Sequence, residues 1–357
     1  MADSPYPELK KTHTAAHNGT PWRDYKPPPS VLVWAIIQGL PNYSILVAAI
    51  ELGVFDALAA SGPARAEQVA AQLDCSTAHL QSLLESLVVL GFVDAGPRHY
   101  ELNETAERYL TSTGAASMVE LVDVAPGSRA NWMALADTIR HGRVADPIER
   151  DPAAFYRPLV SATFPTQRRV AMFTARMIGF ARWPGSPNVL DLGAGAAPWT
   201  VALLEAHARA TAVVNDLDGV LELAQAKTDE VGVADRCSFR PGNFFDISIE
   251  SGAYDVVILG HVTRAEGSEG APQLIDRAFK ALRAGGTLLL ADYFRGDEQA
   301  RNPFGILMGT TMMANTVRGS TFTNGQYAQW LTASGFAAIH LIEPIGAQFV
   351  YVASRPR

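Results

Sequence analysis

Residues 188–200 read NVLDLGAGAAPWT, and the rest of the chain is organised around them. Val189, Leu190 and Leu192 make the short apolar run of a strand buried in a sheet. Gly193-Ala194-Gly195 then predicts a tight turn. Pro198 suits the first position of a helix, where its missing N–H costs nothing. A buried strand that bends this sharply, with no side chains in the way, brings its backbone close to a ligand. The next apolar strand, TAVVND at 211–216, ends in Asp216, an acid placed to take two ribose hydroxyls. Together these predict an adenosine-type cofactor. The glycine pattern alone is weak, because Pro198 stands where the third glycine of G-x-G-x-x-G would be.

The 357 residues suit two domains better than one, and 48% apolar composition gives each a core to bury. A formal net charge of −7 gives no reason to expect nucleic acid or another polyanion as partner. Cys75 and Cys237 lack metal-ligand spacing, so no metal is expected and the thiols read as reduced, in a cytoplasmic protein. MADSPYPELKK has no apolar core for a secretory signal. Val31 to Val54 is interrupted by Gln38, Gly39, Pro41, Asn42 and Glu51, so no membrane span is expected. Residues 1–30 are polar and proline-rich and read as a flexible arm; Trp22, Arg23 and Tyr25 leave room for one that orders over a pocket or a partner subunit.

Residues 31–114 form the first predicted domain. Apolar residues recur at helical spacing up to Leu58. ARAEQVAAQLD is a short helix, Ser76 can cap a helix from Thr77 to Leu90, and Gly91 ends it. GFVDAG and HYELN make a hairpin around Gly96-Pro97, and the whole is a winged helix. DNA binding is not expected, since Ser44 to Thr111 holds three Arg and no Lys against nine acidic residues. A module this apolar and this poor in basic residues reads as a subunit interface.

Residues 115–183 look helical, interrupted by Pro152, Pro158 and Pro165. They are rich in Trp132, Met133, Phe155, Tyr156, Phe164, Met172, Phe173 and Met177, either an ordinary core or the wall of a pocket for a flat apolar substrate. Residues 184–357 alternate strand and helix, the signature of a parallel sheet. They end in AAIHLIEP and AQFVYVAS, so closely joined that they must pair antiparallel. The predicted fold is α/β, a Rossmann-like sheet closed by a C-terminal hairpin behind a mostly helical front domain.

Further features narrow the cofactor. Asp191 precedes the turn, where a carboxylate can hold an ammonium group or order the turn itself. Asp216 can take the ribose or cap the helix at Leu217. Asn243 and Phe244 follow the third strand, where an amide reads an adenine edge and a ring stacks on it. Taken together, LDLGAG, Asp216-Leu217, GNFF, YDVVILG, LRAGGTLLLAD and the terminal hairpin resemble class I S-adenosylmethionine-dependent methyltransferases. The winged-helix front narrows the resemblance to the two-domain small-molecule O-methyltransferases, over roughly residues 35–355. It implies an intertwined homodimer whose partner chain lines the pocket, with S-adenosylhomocysteine as the product. It also implies that Asp191, Gly193 and Gly195 hold the methionine part, Asp216 and Leu217 the ribose, and Asn243 and Phe244 the adenine, with Gly260 at the same edge.

The chemistry departs from that family. O-methylating relatives carry a general-base His after the fourth strand, in a pattern like LxxVLHDW. Here Leu259-Gly260-His261-Val262-Thr263-Arg264 puts Arg264 at that position, and Arg is always protonated and cannot be a base. The supporting Glu is also replaced, by Thr321 in GSTFT. A helical reading puts His261 and Arg264 on one face, which offers His261 as a substitute catalytic base or as a packing or cofactor-edge residue, with Arg264 lowering its pKa. The expectation is methyl transfer mainly by proximity, to a ring carbon, a nitrogen or an acidic hydroxyl, with Arg264 binding or polarising the acceptor. A family member that has turned to hydroxylation or a pericyclic step is the alternative. The acceptor pocket is expected among Phe173, Met177, Met308, Met312 and Met313, with Asn315 bonding a substituent.

Overall fold

The computed structural model describes residues 29–124, 127–297, 300–345 and 347–357. They fall into two compact units, the first ending at Asn103 and the second running from Glu104 to Arg357.

The first unit contains α1 (Pro29–Ile37), α2 (Gly39–Glu51), α3 (Val54–Ser61), α4 (Ala66–Gln72), α5 (Thr77–Val89), β1 (Val93–Ala95) and β2 (Tyr100–Leu102). β1 and β2 pair antiparallel as the predicted wing, with Val93 opposite Leu102. Phe55, Leu58, Val69, Leu80, Leu84, Leu87 and Val93 build its core. Ser76 sits at the N-cap of α5, but its hydroxyl makes no capping bond. In α1 and α2, by contrast, Leu32, Val33, Trp34, Ile36 and Leu40 are exposed. By length and composition Ser30–Glu51 is apolar enough to cross a membrane, with a mean hydropathy of 1.6. The interrupting polar residues named in the sequence therefore do not take this stretch out of that range, although the helix breaks at Gln38.

The second unit opens with α6 (Glu104–Tyr109), α7 (Val119–Val124), α8 (Arg129–Met133) and α9 (Leu135–His141). A long helix follows, α10 (Pro152–Met177). The prolines expected to interrupt this region do not: Pro152 starts α10, and Pro158 and Pro165 lie inside it. Each interior proline deletes a ladder bond. Packing against the rest of the unit carries the helix through, with Val170, Ala171 and Ala175 buried in the core.

Then come β3 (Asn188–Leu192), α11 (Pro198–Ala206), β4 (Thr211–Asp216), α12 (Asp218–Val231), β5 (Cys237–Pro241), β6 (Tyr254–Gly260), α13 (Gly267–Ala281) and β7 (Leu282–Asp292). The chain finishes with the short pair β8 (Gly296–Asp297) and β9 (Ala300–Arg301), then α14 (Pro303–Asn315), α15 (Asn324–Ala333), β10 (Ala337–Ile345) and β11 (Gln348–Ser354).

One seven-stranded sheet has the order β10-β11-β7-β6-β3-β4-β5. Strands β3 to β7 pair parallel, while β11 runs antiparallel to β7 and β10 antiparallel to β11, as predicted. Alternate residues feed opposite faces. Val189, Val256, Ile258 and Leu289 join α10, α11 and α12 in one core layer. Leu190, Leu192, Val257, Leu259, Leu288 and Leu290 join α13 and α15 in the other.

Candidate active site

The carboxyl ends of β3, β4, β6 and β7 gather the polar residues of the sequence reading. After β3 the chain turns through Gly193 (φ +67°), Gly195 (φ +60°) and Ala197 (φ +59°) into α11, which Pro198 begins. A Cβ on Gly193 would overlap Val262 Cγ1 and lie 3.5 Å from Phe244 Cε1, so only glycine lets the turn, the β5 loop and the β6 loop meet.

Ala197, at the N-cap of α11, has no side chain with which to cap it. Asp191 does so from the strand, its Oδ2 accepting from Thr200 Oγ1 at 2.7 Å. Asp216 closes the other side: its Oδ2 accepts from Gly195 N and its Oδ1 from Leu217 N, both at 2.7 Å. The turn-ordering role read for Asp191 is thus filled, and Asp216 binds the Leu217 N–H as well as the turn. Burial pushes Asp191 up to about 7 and raises Asp216, although hydrogen bonds oppose both shifts. No cation lies beside either carboxylate among the described residues. A buried carboxylate at a glycine turn and a second at the next strand fit the ammonium and ribose of an adenosine-bearing amino acid.

Asn243 differs from the atom-level expectation. Its Oδ1 accepts from Phe245 N at 2.8 Å, so the amide oxygen expected to read adenine orders its own loop. Phe244 packs on Phe245 with ring centroids 5.0 Å apart. Gly260 ends β6, where a Cβ would lie 2.9 Å from the Trp199 ring.

The segment after β6 is a turn rather than the supposed helix, and His261 has φ +64°. That backbone aims the His261 carbonyl at Arg264, whose Nη1 donates to it at 2.8 Å. The same nitrogen lies 2.8 Å from Asp292 Oδ1, an ion pair with both side chains largely buried. Asp292 also accepts from Thr263 Oγ1 (2.8 Å), Arg264 N (3.1 Å) and Tyr293 N (2.9 Å). The Thr263 proton goes to the carboxylate, so it is Tyr327, 2.8 Å away, that donates to Thr263. Burial alone would raise Asp292, but Arg264, together with His261 and the hydrogen bonds to the carboxylate, holds Asp292 below the usual carboxylate range. Burial would lower Arg264, and Asp292 instead raises it. The pair is charged on both sides.

His261 is enclosed. Its Nε2 lies 3.2 Å from Gln348 Oε1, an acceptor, so the proton sits on Nε2 and the lone pair on Nδ1. Nδ1 is buried without a hydrogen-bond partner, 3.7 Å from Asp292 Oδ1. Burial pushes this imidazole down to about 4, with Asp292 opposing and Arg264 adding to the shift. Tyr293 lies beside it (4.8 Å), under the Arg264 guanidinium (5.4 Å) and against Phe304 (4.8 Å). Tyr156 on α10 feels the charge of both Arg264 and Asp216, and burial raises its phenol to about 12.

The acceptor residues read from the sequence do not all meet here. Met312 is buried, and a Cβ on Gly319 would meet both its Cε (2.6 Å) and the Arg264 carbonyl oxygen (3.2 Å). Met308 is half-buried and Met313 exposed. Asn315 is spent on the protein, accepting from Ser128 N (3.0 Å) and Asn131 Nδ2 (3.1 Å) and donating to Thr311 O (3.0 Å). Phe173 and Met177 are exposed on the far half of α10, about 20 and about 25 Å along the helix from Val160 at the rise of about 1.5 Å per residue. Thr321 donates to Gly305 O at 2.8 Å and staples α14 instead of supporting a base. Asp292 and Tyr293 were missed, although an acid ending an apolar strand is the same signal that found Asp216.

Comparisons with known proteins agree with this fold. An O-methyltransferase dimerisation domain profile matches residues 34–112, and an O-methyltransferase domain profile matches residues 160–337. A 3-hydroxy-5-methyl-1-naphthoate 3-O-methyltransferase of Streptomyces sahachiroi is 26% identical over 341 residues, covering 91% of this chain and 94% of the relative. The N,N-dimethyltransferase OxyT of Streptomyces rimosus is 28% identical over 259 residues, covering 69% and 73%. The human N-acetylserotonin methyltransferase, solved in complex with SAM, superposes with a TM-score of 0.79 at 22% identity, covering 94% of this chain and 99% of that one. That likeness shows the fold.

Proposed function

Because the chain belongs to the two-domain small-molecule O-methyltransferases that use S-adenosylmethionine, we propose that it methylates a flat aromatic or heteroaromatic acceptor by alignment, without a general base. The bound cofactor supplies a methyl group activated on a sulfonium. In this reading Asp191 and the Gly193–Gly195 turn hold its amino-acid end. Asp216 and Leu217 take the ribose, and Asn243, Phe244 and Gly260 border the adenine.

The observation that carries the proposal is the buried Arg264–Asp292 ion pair at the family's base position. A guanidinium held by a carboxylate takes no proton. His261 has its free nitrogen buried and its basicity suppressed. The acceptor therefore arrives as a competent nucleophile: an electron-rich ring carbon, a nitrogen, or a hydroxyl acidic enough to ionise unaided. Arg264 keeps N–H groups beyond Nη1 with which to bind a carbonyl or oxyanion on that acceptor. The charge on Asp292 balances its own, so the acceptor need not be an anion. The naphthoate relative supports a fused-ring acceptor, and the N,N-dimethyltransferase supports a nucleophile other than oxygen.

The test uses a panel of hydroxyarenes, aminoarenes and indoles with methyl-labelled cofactor, reading the product mass and the methyl position. His261→Ala is expected to keep kcat within a few-fold. A general base is worth roughly 10²–10⁴-fold, so a loss of that size with binding unchanged would overturn the base-free reading. Arg264→Ala is expected to weaken acceptor binding and turnover, and wild-type behaviour would remove Arg264 from the mechanism.

A further inference from the structure

The first turns of α10 lie across the nucleoside half of this site. Ala153, Tyr156, Arg157 and Val160 recur at the spacing that puts side chains on one helical face. A Cβ on Gly219, in the first turn of α12, would lie 3.4 Å from Ala153 Cβ. Arg157 Nη1 donates to Gly219 O and lies 2.8 Å from Glu222 Oε2. A Cβ on Gly195 would lie 3.0 Å from Val160 Cγ1. Tyr156, between these contacts, feels the charge of Asp216. The face thus spans from the glycine turn to the start of α12, with the ribose carboxylate beneath it.

This roof is lightly fastened. The Arg157 and Glu222 side chains are 41% and 68% exposed, where water screens the pair. Pro158 has no N–H to donate to the Ala154 carbonyl, so the ladder of α10 is already broken within these turns. A helix end whose side-chain hydrogen bonds to α12 come from one surface arginine, next to a missing rung, can lift without unfolding the core.

We propose that Arg157 is a positioning residue for the cofactor: it latches the N-terminal turns of α10 onto α12 over the bound nucleoside, and release of that latch sets the rate at which the nucleoside leaves. The inference rests on the cofactor reading above, and its test separates the two. Stopped-flow binding of S-adenosylhomocysteine to the full chain gives on- and off-rates from intrinsic fluorescence. Arg157→Ala and Glu222→Gln are expected to raise the off-rate about three- to tenfold. They raise the KM for the cofactor in step and leave the acceptor KM and the thermal midpoint unchanged. Arg157→Lys, which keeps the charge and a donor for Gly219 O, is expected to restore most of the wild-type off-rate. An unchanged off-rate in Arg157→Ala overturns the latch. So does an equal rise in acceptor KM, which marks general loosening. A wild-type chain that binds no S-adenosylhomocysteine overturns the cofactor reading instead.

Discussion

At the scale of single residues, the site is built from buried carboxylates with different electrostatic company. Asp292 faces a guanidinium and stays ionised, while Asp191 faces a hydroxyl and holds its proton to about pH 7. The Asp191 pKa is raised on folding. It therefore stabilises the fold below the ordinary carboxylate range, and that contribution is lost as pH rises through about 7. An ammonium group beside it favours the carboxylate, so cofactor binding is expected to release a proton below pH 7. Affinity should rise about tenfold from pH 6 to pH 8. Calorimetry in buffers of different ionisation heat reads this directly, and Asp191→Asn should flatten the dependence. If Asp191→Asn keeps the wild-type pH profile, Asp191 does not face the ammonium. His261 has the opposite sign: its folded pKa of about 4 costs stability as pH falls below 6.5 and puts no limb on the rate profile between pH 5 and 8. Asp191, Asp216 and Arg264 were legible because each stands at a fixed offset from an apolar strand. Occupancy was not legible, because which lone pair of Asn243 or Asn315 is already taken depends on loops that meet only in the folded chain.

At the scale of elements, the glycine turn is where close approach and handedness coincide. Gly193→Ala places a side chain at φ +67° and into Val262. The left-handed backbone costs roughly 1–2 kcal/mol and the overlap roughly 1–3 kcal/mol. Urea unfolding should show a loss of about 2–5 kcal/mol, together with loss of S-adenosylhomocysteine binding. A variant of wild-type stability would mean that the β6 loop yields freely. Strand positions and the closing hairpin were readable from apolar runs and link length. The long helix α10 was not, because local rules end a helix at Pro158 and Pro165 while tertiary packing carries it through both. The stretch after β6 failed in the other direction: a left-handed His261 forbids the helix that its spacing allowed.

At the scale of the whole molecule, the exposed apolar side chains of α1 and α2 call for a partner. The match of residues 34–112 to an O-methyltransferase dimerisation domain suggests one, a second copy of the chain. Trp34→Glu with Ile36→Glu is expected to convert dimer to monomer in light scattering, and a variant that remains dimeric would place the interface elsewhere. The apolar spacing of this stretch was readable from sequence, but its exposure was not, since helical periodicity does not say what covers a face. The order of the sheet carries a last consequence. From β3 the chain runs outward through β4 and β5 on one side and later through β6 and β7 on the other. In the proposed reading the nucleoside contacts come from β3 and the first side, with Gly260 alone from the second, and the Arg264–Asp292 pair comes from the second. The two inheritances are therefore largely separable: exchange of residues 261–292 with a relative should transplant reaction type while the donor nucleoside is still recognised, which makes this sheet a natural seam for recombination.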